Sequence, residues 1–219
     1  ILPTILTALR KLPTPFLKIE IESRLPLGCG FGISGAATLA TLTAANKLLG
    51  LKIPENKLTE IAHFAEIKEK TGLGTVATQS IGGFLLKQEP GLEHKYKKLN
   101  FEGQKIFVTN IKPLATPTIL SDKNKIMKIN TEAERVLREL DDSENLTLEN
   151  VINKSFRFCL KSGLVDSEKT KKIIREIQKS GGAATQAILG ETVLSNIKPK
   201  MTKYPVIMLT ITNDKIHYL

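Results

Sequence analysis

The stretch Leu25–Ala37 reads Leu-Pro-Leu-Gly-Cys-Gly-Phe-Gly-Ile-Ser-Gly-Ala-Ala, and it constrains the chain more than any other. Gly28, Gly30, Gly32 and Gly35 leave a short turn almost bare of side chains, so backbone N–H groups can approach an anion and adopt left-handed conformations. Upstream, Leu17, Ile19 and Ile21 alternate with Lys18, Glu20 and Glu22, which predicts a half-buried strand over Phe16–Arg24. Downstream, Ala36, Leu39, Ala40, Thr43 and Lys47 recur at helical spacing, with Gly50 as the stop. The local order is strand, glycine loop, helix. The first turn of that helix offers free N–H groups and a positive dipole end, which together favour a phosphate, with Ser34 at its mouth. An ordinary glycine-rich turn would read the same from this segment alone. No Gly-Lys-Ser/Thr follows, so the loop is not a Walker A loop, and its spacing is not that of a dinucleotide fingerprint.

Pro26–Ala37 resembles the second motif of the GHMP kinases, Pro-x-x-x-Gly-Leu-Gly-Ser-Ser-Ala. Gly30, Gly32, Ser34 and Ala36 fall on matching places, while Phe31, Ile33 and Gly35 stand for the usual Leu, Ser and Ser. The form Pro-Leu-Gly-x-Gly-Phe-Gly-x-Ser-Gly-Ala is similar to the archaeal pantoate kinase branch of that family. The resemblance implies an α+β, two-domain GHMP kinase-like fold in which ATP phosphates meet Gly28, Gly30, Phe31, Gly32, Ile33, Ser34, Gly35 and Ala36. It implies a partial N-terminal ATP-binding domain over 1–90 and a C-terminal domain over 91–219. In the family several strands and a first motif precede the loop. Here Ile1–Leu12 reads as a short apolar helix ended by Pro13 and Pro15, so the expectation is an N-terminally truncated fold.

A second helix is expected from Pro54, with Leu58, Ile61, Ala62 and Ala65 on one face and His63 and Glu66 one turn apart. By residue type alone Glu66 reads as a solvated helix charge and His63 as an ordinary partly buried imidazole. The resemblance instead makes Glu66 a Mg²⁺ ligand beside Ser34, a chemistry suited to a hard cation that keeps water and phosphate oxygens around it. Thr71–Gln79 is a second glycine turn, leading into a strand at Gly82–Leu86. In the wider family this turn often carries an Asp as general base, and the aligned position here is Thr75. Phosphoryl transfer relies mostly on positioning and charge neutralisation, so Thr75 can serve by orienting the attacking hydroxyl. Candidates on the acceptor side are Arg24, His63, Gly74 and Gln186, with Arg24 equally readable as a surface charge.

The polar, Lys-rich run Gln88–Glu102 is expected to connect the domains, followed by a strand at Ile106–Ile111. Lys112–Pro117 and Ile119–Asp122 resemble a Pro-Ile-Ser-Thr-Pro stretch of pantoate kinases. Helices are predicted over Thr131–Leu140, Thr147–Ser162 and Ser167–Ser180. Gly181–Gly190 occupies the place of the third family motif, a small-residue loop. Tyr204–Thr212 and Lys215–Leu219, parted by Asn213-Asp214, read as a closing hairpin.

The 219 residues, 41% hydrophobic and 25% charged, suffice for one core or two small ones. No apolar run reaches membrane-spanning length and no signal-peptide pattern opens the chain, so a cytoplasmic protein without a membrane partner is expected. Cys29 and Cys159 lie far apart and are expected as free thiols. A net charge of +10 raises nucleic acid as a partner. The densest lysine groups, Lys95, Lys97 and Lys98 and Lys169, Lys171 and Lys172, hold one aromatic between them, Tyr96, and no set of aromatics for stacking bases, which favours small polyanions such as ATP over nucleic acid. The resemblance implies ATP-dependent phosphorylation of the primary hydroxyl of pantoate, giving 4-phosphopantoate for coenzyme A synthesis, with ATP and Mg²⁺ as cofactors. A homodimer is compatible with it. The alternatives are a kinase of the same family for homoserine or mevalonate and an inactive nucleotide-binding module.

Overall fold

A computed structural model describes residues 2–72, 74–89, 91–92, 95–112, 122–143, 145–188 and 190–216. The chain falls into two compact units, one of Ile1–Leu27, Gly32–Lys98 and Thr212–Leu219, the other of Gly28–Phe31 and Leu99–Ile211.

Unit 1 is mainly helical. α1 spans Pro3–Leu9, α2 Ile33–Leu48, α3 Glu55–Lys68 and α4 Thr75–Ile81, and a two-stranded sheet joins β1 (Phe84–Lys87) to β2 (Tyr96–Leu99). Small residues let α2 pack closely: it buries Gly35, Ala37, Thr38, Leu39, Leu42 and Ala45. α3 answers with Leu58, Ala62 and Ala65, and α4 adds Val76. Each large apolar side chain so buried stabilises the unit by about 1.5–3 kcal/mol. Pro54 stands immediately before α3, where its fixed φ of −60° and missing N–H cost nothing.

Unit 2 is an antiparallel sheet in the order β4-β5-β3-β6, packed by helices. β3 is Lys105–Lys112, β4 Ala184–Gln186, β5 Glu191–Ser195 and β6 Val206–Thr210; α5 is Lys123–Asp141, α6 Leu148–Ser162 and α7 Glu168–Lys179. Phe107 pairs with Ser195 on one side of β3 and with Met208 on the other. Ile173, Ile174 and Ile177 of α7 pack on Ala184 and Val193 of the sheet. The three helices start where side chains cap them: Asp122 accepts from the Asn124 and Lys125 amides, Thr147 forms a capping box with Asn150, and Ser167 accepts from the Thr170 amide. On α5, Glu139 is held by Arg135, Lys154 and Arg157.

Several elements differ from expectation. Phe16–Arg24 forms no strand: burial alternates only over Phe16–Glu20, Ile21–Arg24 are exposed, and no described strand pairs with the segment, whereas pairing is what makes a ladder. Thr71–Gln79 is not all turn, because Thr75 begins α4, whose Val76 and Ala77 are drawn into the α2–α3 core. The connection Gln88–Glu102 contains β2, and the helix expected from Thr131 starts at Lys123, behind its Asp122 cap. Within Gly181–Gly190, Ala184–Gln186 is a strand. Of the expected closing hairpin, β6 pairs with β3, 212–216 is not strand and His217–Leu219 lie outside the described residues; the Ile216 amide donates to the Gln79 carbonyl at 3.2 Å. Of the stretches Lys112–Pro117 and Ile119–Asp122, all but Lys112 and Asp122 lie outside the described residues, as do Leu73, Pro90, Leu189 and His217–Leu219.

Candidate active site

Along the glycine loop the backbone alternates. Gly28, Gly30 and Gly32 have φ of 72°, 83° and 67°, whereas Cys29 and Phe31 between them keep negative values. Alternation of left- and right-handed residues is the local conformation of an anion-binding nest. α2 begins directly after Gly32 with no side chain capping it and no acidic residue in its first turn, so its N-terminal N–H groups are left for another acceptor.

Gly28–Phe31 belongs to unit 2 and is seated there on the third small-residue loop. A Cβ on Gly30 would lie 2.8 Å from the Ala187 Cβ, and a Cβ on Gly190 would overlap the Cys29 carbonyl group and lie 2.6 Å from the Gly30 amide nitrogen. Two motifs far apart in sequence thus touch through glycines that permit backbone contact. Cys29 is buried, and burial pushes its thiol up, partly offset by the Asn110 side chain.

The remaining site residues, Gln186 excepted, lie in unit 1. Thr38 Oγ1 donates to the Ser34 carbonyl at 2.8 Å, and the Ser34 hydroxyl is 3.2 Å from that of Thr4 on α1. Glu66 is 1% exposed on the face of α3 turned to α2. Its carboxylate is boxed by glycines: a Cβ on Gly35 would meet Oε2 at 3.1 Å, and a Cβ on Gly72 would meet both oxygens at 3.1 Å. Thr71 Oγ1 donates to Oε1 over a long 3.5 Å, and Oε2 has no hydrogen-bond partner among the described residues. Burial pushes the Glu66 carboxyl up, with Thr71 and the Val76 amide pulling weakly the other way. A buried carboxylate with an open oxygen against Gly35, in the first turn of an uncapped helix, has the oxygen chemistry that suits a hard cation. Among the described residues no cluster of three or more His, Cys, Asp or Glu side chains occurs, so a cation here would draw its other oxygens from Ser34 and from phosphate.

Thr75 opens α4, its methyl packed where a side chain on Gly32 would sit. His63 is buried one turn before Glu66, and Arg24 is exposed in a bend before the loop. Gln186 lies in β4 of unit 2, 4% exposed, with Nε2 donating to the Leu164 carbonyl at 3.2 Å. Beside Gly74 the structure brings up a group that the sequence did not single out: Lys87 Nζ, 3.1 Å from where a Gly74 Cβ would stand. Lys87 is half-buried, and desolvation lowers its pKa. Thr4 and Gln79 were also missed, since only the fold carries them to the start of α2. Gln79 Nε2 donates to the Gly32 carbonyl at 2.9 Å.

Residues 2–83 match the family described as the GHMP kinases N terminal domain. Similarity to individual kinases extends beyond that segment. The pantoate kinase of Methanocaldococcus jannaschii is 35% identical over 176 residues, which is 80% of this chain and 63% of the relative. That of Methanospirillum hungatei is 30% identical over 78% of this chain and 56% of the relative. The chain therefore spans about three fifths of the length of these relatives. The mevalonate kinase of Pyrococcus furiosus is 31% identical over 80 residues, 36% of this chain and 24% of the relative. Among solved structures, a phosphotransferase related to the CoA biosynthesis pathway superposes with a TM-score of 0.74 at 24% identity, over 88% of this chain and 66% of that one. Lactococcus lactis galactokinase in complex with galactose superposes with a TM-score of 0.57 at 14% identity, over 96% and 73%. The α+β fold is thus of the GHMP kinase type.

Proposed function

We propose that this chain carries the donor site of an ATP-dependent kinase that phosphorylates the primary hydroxyl of pantoate to 4-phosphopantoate in coenzyme A biosynthesis. The observation that carries the kinase reading is the buried Glu66 carboxylate, open at Oε2, beside Gly35 at the uncapped start of α2. The choice of pantoate rests on likeness to pantoate kinases over four fifths of the chain, against about one third for a mevalonate kinase. In this reading residues 1–90 bind nucleotide, with the N–H groups of Gly28–Ala36 on the phosphates, and 91–219 form the second domain. Ser34 and Glu66 would hold Mg²⁺, which when bound neutralises phosphate charge.

The chain's own groups divide the remaining work. Thr4 and Thr38 fix Ser34 from behind, so its hydroxyl is preoriented. Thr75 occupies the place of a base and orients the acceptor hydroxyl, while positioning and electrostatic stabilisation supply the acceleration. Lys87, poised beside Gly74, joins Arg24 as a candidate cation for the acceptor carboxylate, and its partial desolvation strengthens such a pair.

Coupled ADP release by the full-length protein, offered pantoate, homoserine and mevalonate in parallel, tests this reading. Turnover with pantoate is expected; retained ATP binding without turnover on any acceptor would leave a nucleotide-binding module instead. Lys87→Met should raise KM for pantoate at least tenfold while KM for ATP stays within twofold, and an unchanged pantoate KM removes Lys87 from the acceptor site.

A further inference from the structure

The side of Gly35 that a Cβ would occupy is faced by two buried oxygens from different helices. Glu66 Oε2 lies 3.1 Å from that point and Gln79 Oε1 lies 3.2 Å from it. Neither oxygen has a hydrogen-bond partner among the described residues. The Gln79 side chain is held from its other end, because Nε2 donates to the Gly32 carbonyl, which also accepts the first helical bond from the Ala36 amide at 3.1 Å. With Nε2 so engaged, the amide must turn Oε1 toward the Gly35 side.

A buried acceptor left without a donor costs about 1–3 kcal/mol, and two that face one small space cost more, since the carboxylate is charged. Thr71 and the Val76 amide act on the Glu66 carboxylate yet leave Oε2 unmatched, and the Val76 Cγ2 methyl, 2.9 Å from the Gly35 Cβ position, borders the same space. A hard cation resolves both costs with the ligand types it prefers, one carboxylate and one amide carbonyl oxygen.

We propose that Gln79 Oε1 and Glu66 Oε2 bind one divalent cation together, Gln79 serving as a second side-chain oxygen ligand contributed by α4. The proposal rests on the kinase reading for the cation's presence at Glu66 and adds a ligand to it. It explains why one Gln carries two tasks: Nε2 fixes the loop at Gly32, and Oε1 ties the cation to the same loop. A cation would then be placed by α3 and α4 together.

Mn²⁺ binding to the full-length protein, followed by electron paramagnetic resonance of the free ion with and without a non-hydrolysable ATP analogue, separates the possibilities. Gln79→Leu removes both functions of the side chain, and Gln79→Glu keeps an oxygen while losing the donor to Gly32. Mn²⁺ affinity is expected to fall roughly tenfold or more in Gln79→Leu and to hold or tighten in Gln79→Glu. If Gln79→Leu does not fold, Gln79→Asn, whose shorter amide withdraws the oxygen, should show the same loss. Wild-type Mn²⁺ affinity in Gln79→Leu or Gln79→Asn, with binding lost in Glu66→Gln, overturns the proposal and leaves the Glu66 assignment standing. Unchanged affinity in Glu66→Gln as well removes the cation from this space and takes both assignments with it. Equal weakening in Gln79→Leu and Gln79→Glu would show that Gln79 acts only through Gly32.

Discussion

Burial of the Glu66 carboxylate between Gly35 and Gly72 makes it a cost to the cation-free fold. A carboxyl whose pKa is raised on folding contributes stability at pH values below its ordinary range and loses it as pH rises through the folded value, so at neutral pH the ionised group destabilises. Glu66→Gln is therefore expected to raise the cation-free stability at pH 7, by on the order of 1 kcal/mol, while abolishing Mg²⁺-dependent turnover. Thermal melts in chelator across pH 4–8, beside the turnover assay, check it; a lower Tm at pH 7 would mean that Glu66 is a structural group. Cys159 behaves in the same direction at the other end of the scale. Its thiol is pushed up to about 11 by burial, partly offset by hydrogen bonds with the Thr185 side chain and the Gln186 backbone. The stability this thiol contributes is present below pH 9 and is lost as pH rises toward 11, about 2–3 kcal/mol in all. Cys159→Ala should flatten that alkaline decline in denaturant titrations, and an identical decline in both proteins rules the linkage out.

The elements of unit 2 are tied to the glycine loop through contacts that leave no room for a methyl group. Gly190 needs no left-handed backbone; what excludes a side chain there is the Cys29 carbonyl group, which cannot yield as a flexible side chain can. Gly190→Ala is expected to destabilise the protein by about 3 kcal/mol and to weaken binding of an ATP analogue, because the strained partner is the phosphate loop itself. Gly50, with φ of 61° and nothing within 4 Å of a Cβ, is the control. Gly50→Ala carries only the left-handed backbone cost of about 1–2 kcal/mol and should leave nucleotide affinity unchanged. Denaturant melts and fluorescent nucleotide titration read both, and equal behaviour of the two variants refutes the seating of the loop on Gly190. Helix ends in this unit were legible because Thr147 and Ser167 cap through their own side chains. β4 and β5 were not legible: Ala184–Gln186 is too short for a pattern, and pairing at Ala184–Ser195 and Gln186–Val193 makes it a strand.

At the scale of the whole molecule, the net charge of +10 gives ATP a favourable field, and screening should erode it. Raising salt from about 0.05 to 0.5 M, several-fold shorter in Debye length, is expected to raise KM for ATP several-fold with kcat little changed. A KM insensitive to salt would assign the charge another role, which salt-titrated binding to DNA would then reveal. Much of the site was written in local sequence. The glycine spacing of Gly28–Gly35, the helix after it and Glu66 four residues beyond Ala62 are short-range patterns, and left-handed glycines with an uncapped helix need nothing distant to form. Tertiary structure decided the rest. Phe16–Arg24 has a strand's alternation in sequence without a described partner, and β6 finds its partner in β3, because hydrogen-bonded neighbours are not encoded in periodicity. Burial decided the state of Glu66, which by residue type is a surface charge and by packing is a desolvated carboxylate. Only the packing of α4 brought Gln79 to Gly32 and Gly35 and, through β1, Lys87 to Gly74. Sequence fixes which groups are available and which local turns they can make; their meeting depends on long-range packing, where free energy is set by shared burial and not by the neighbours along the chain.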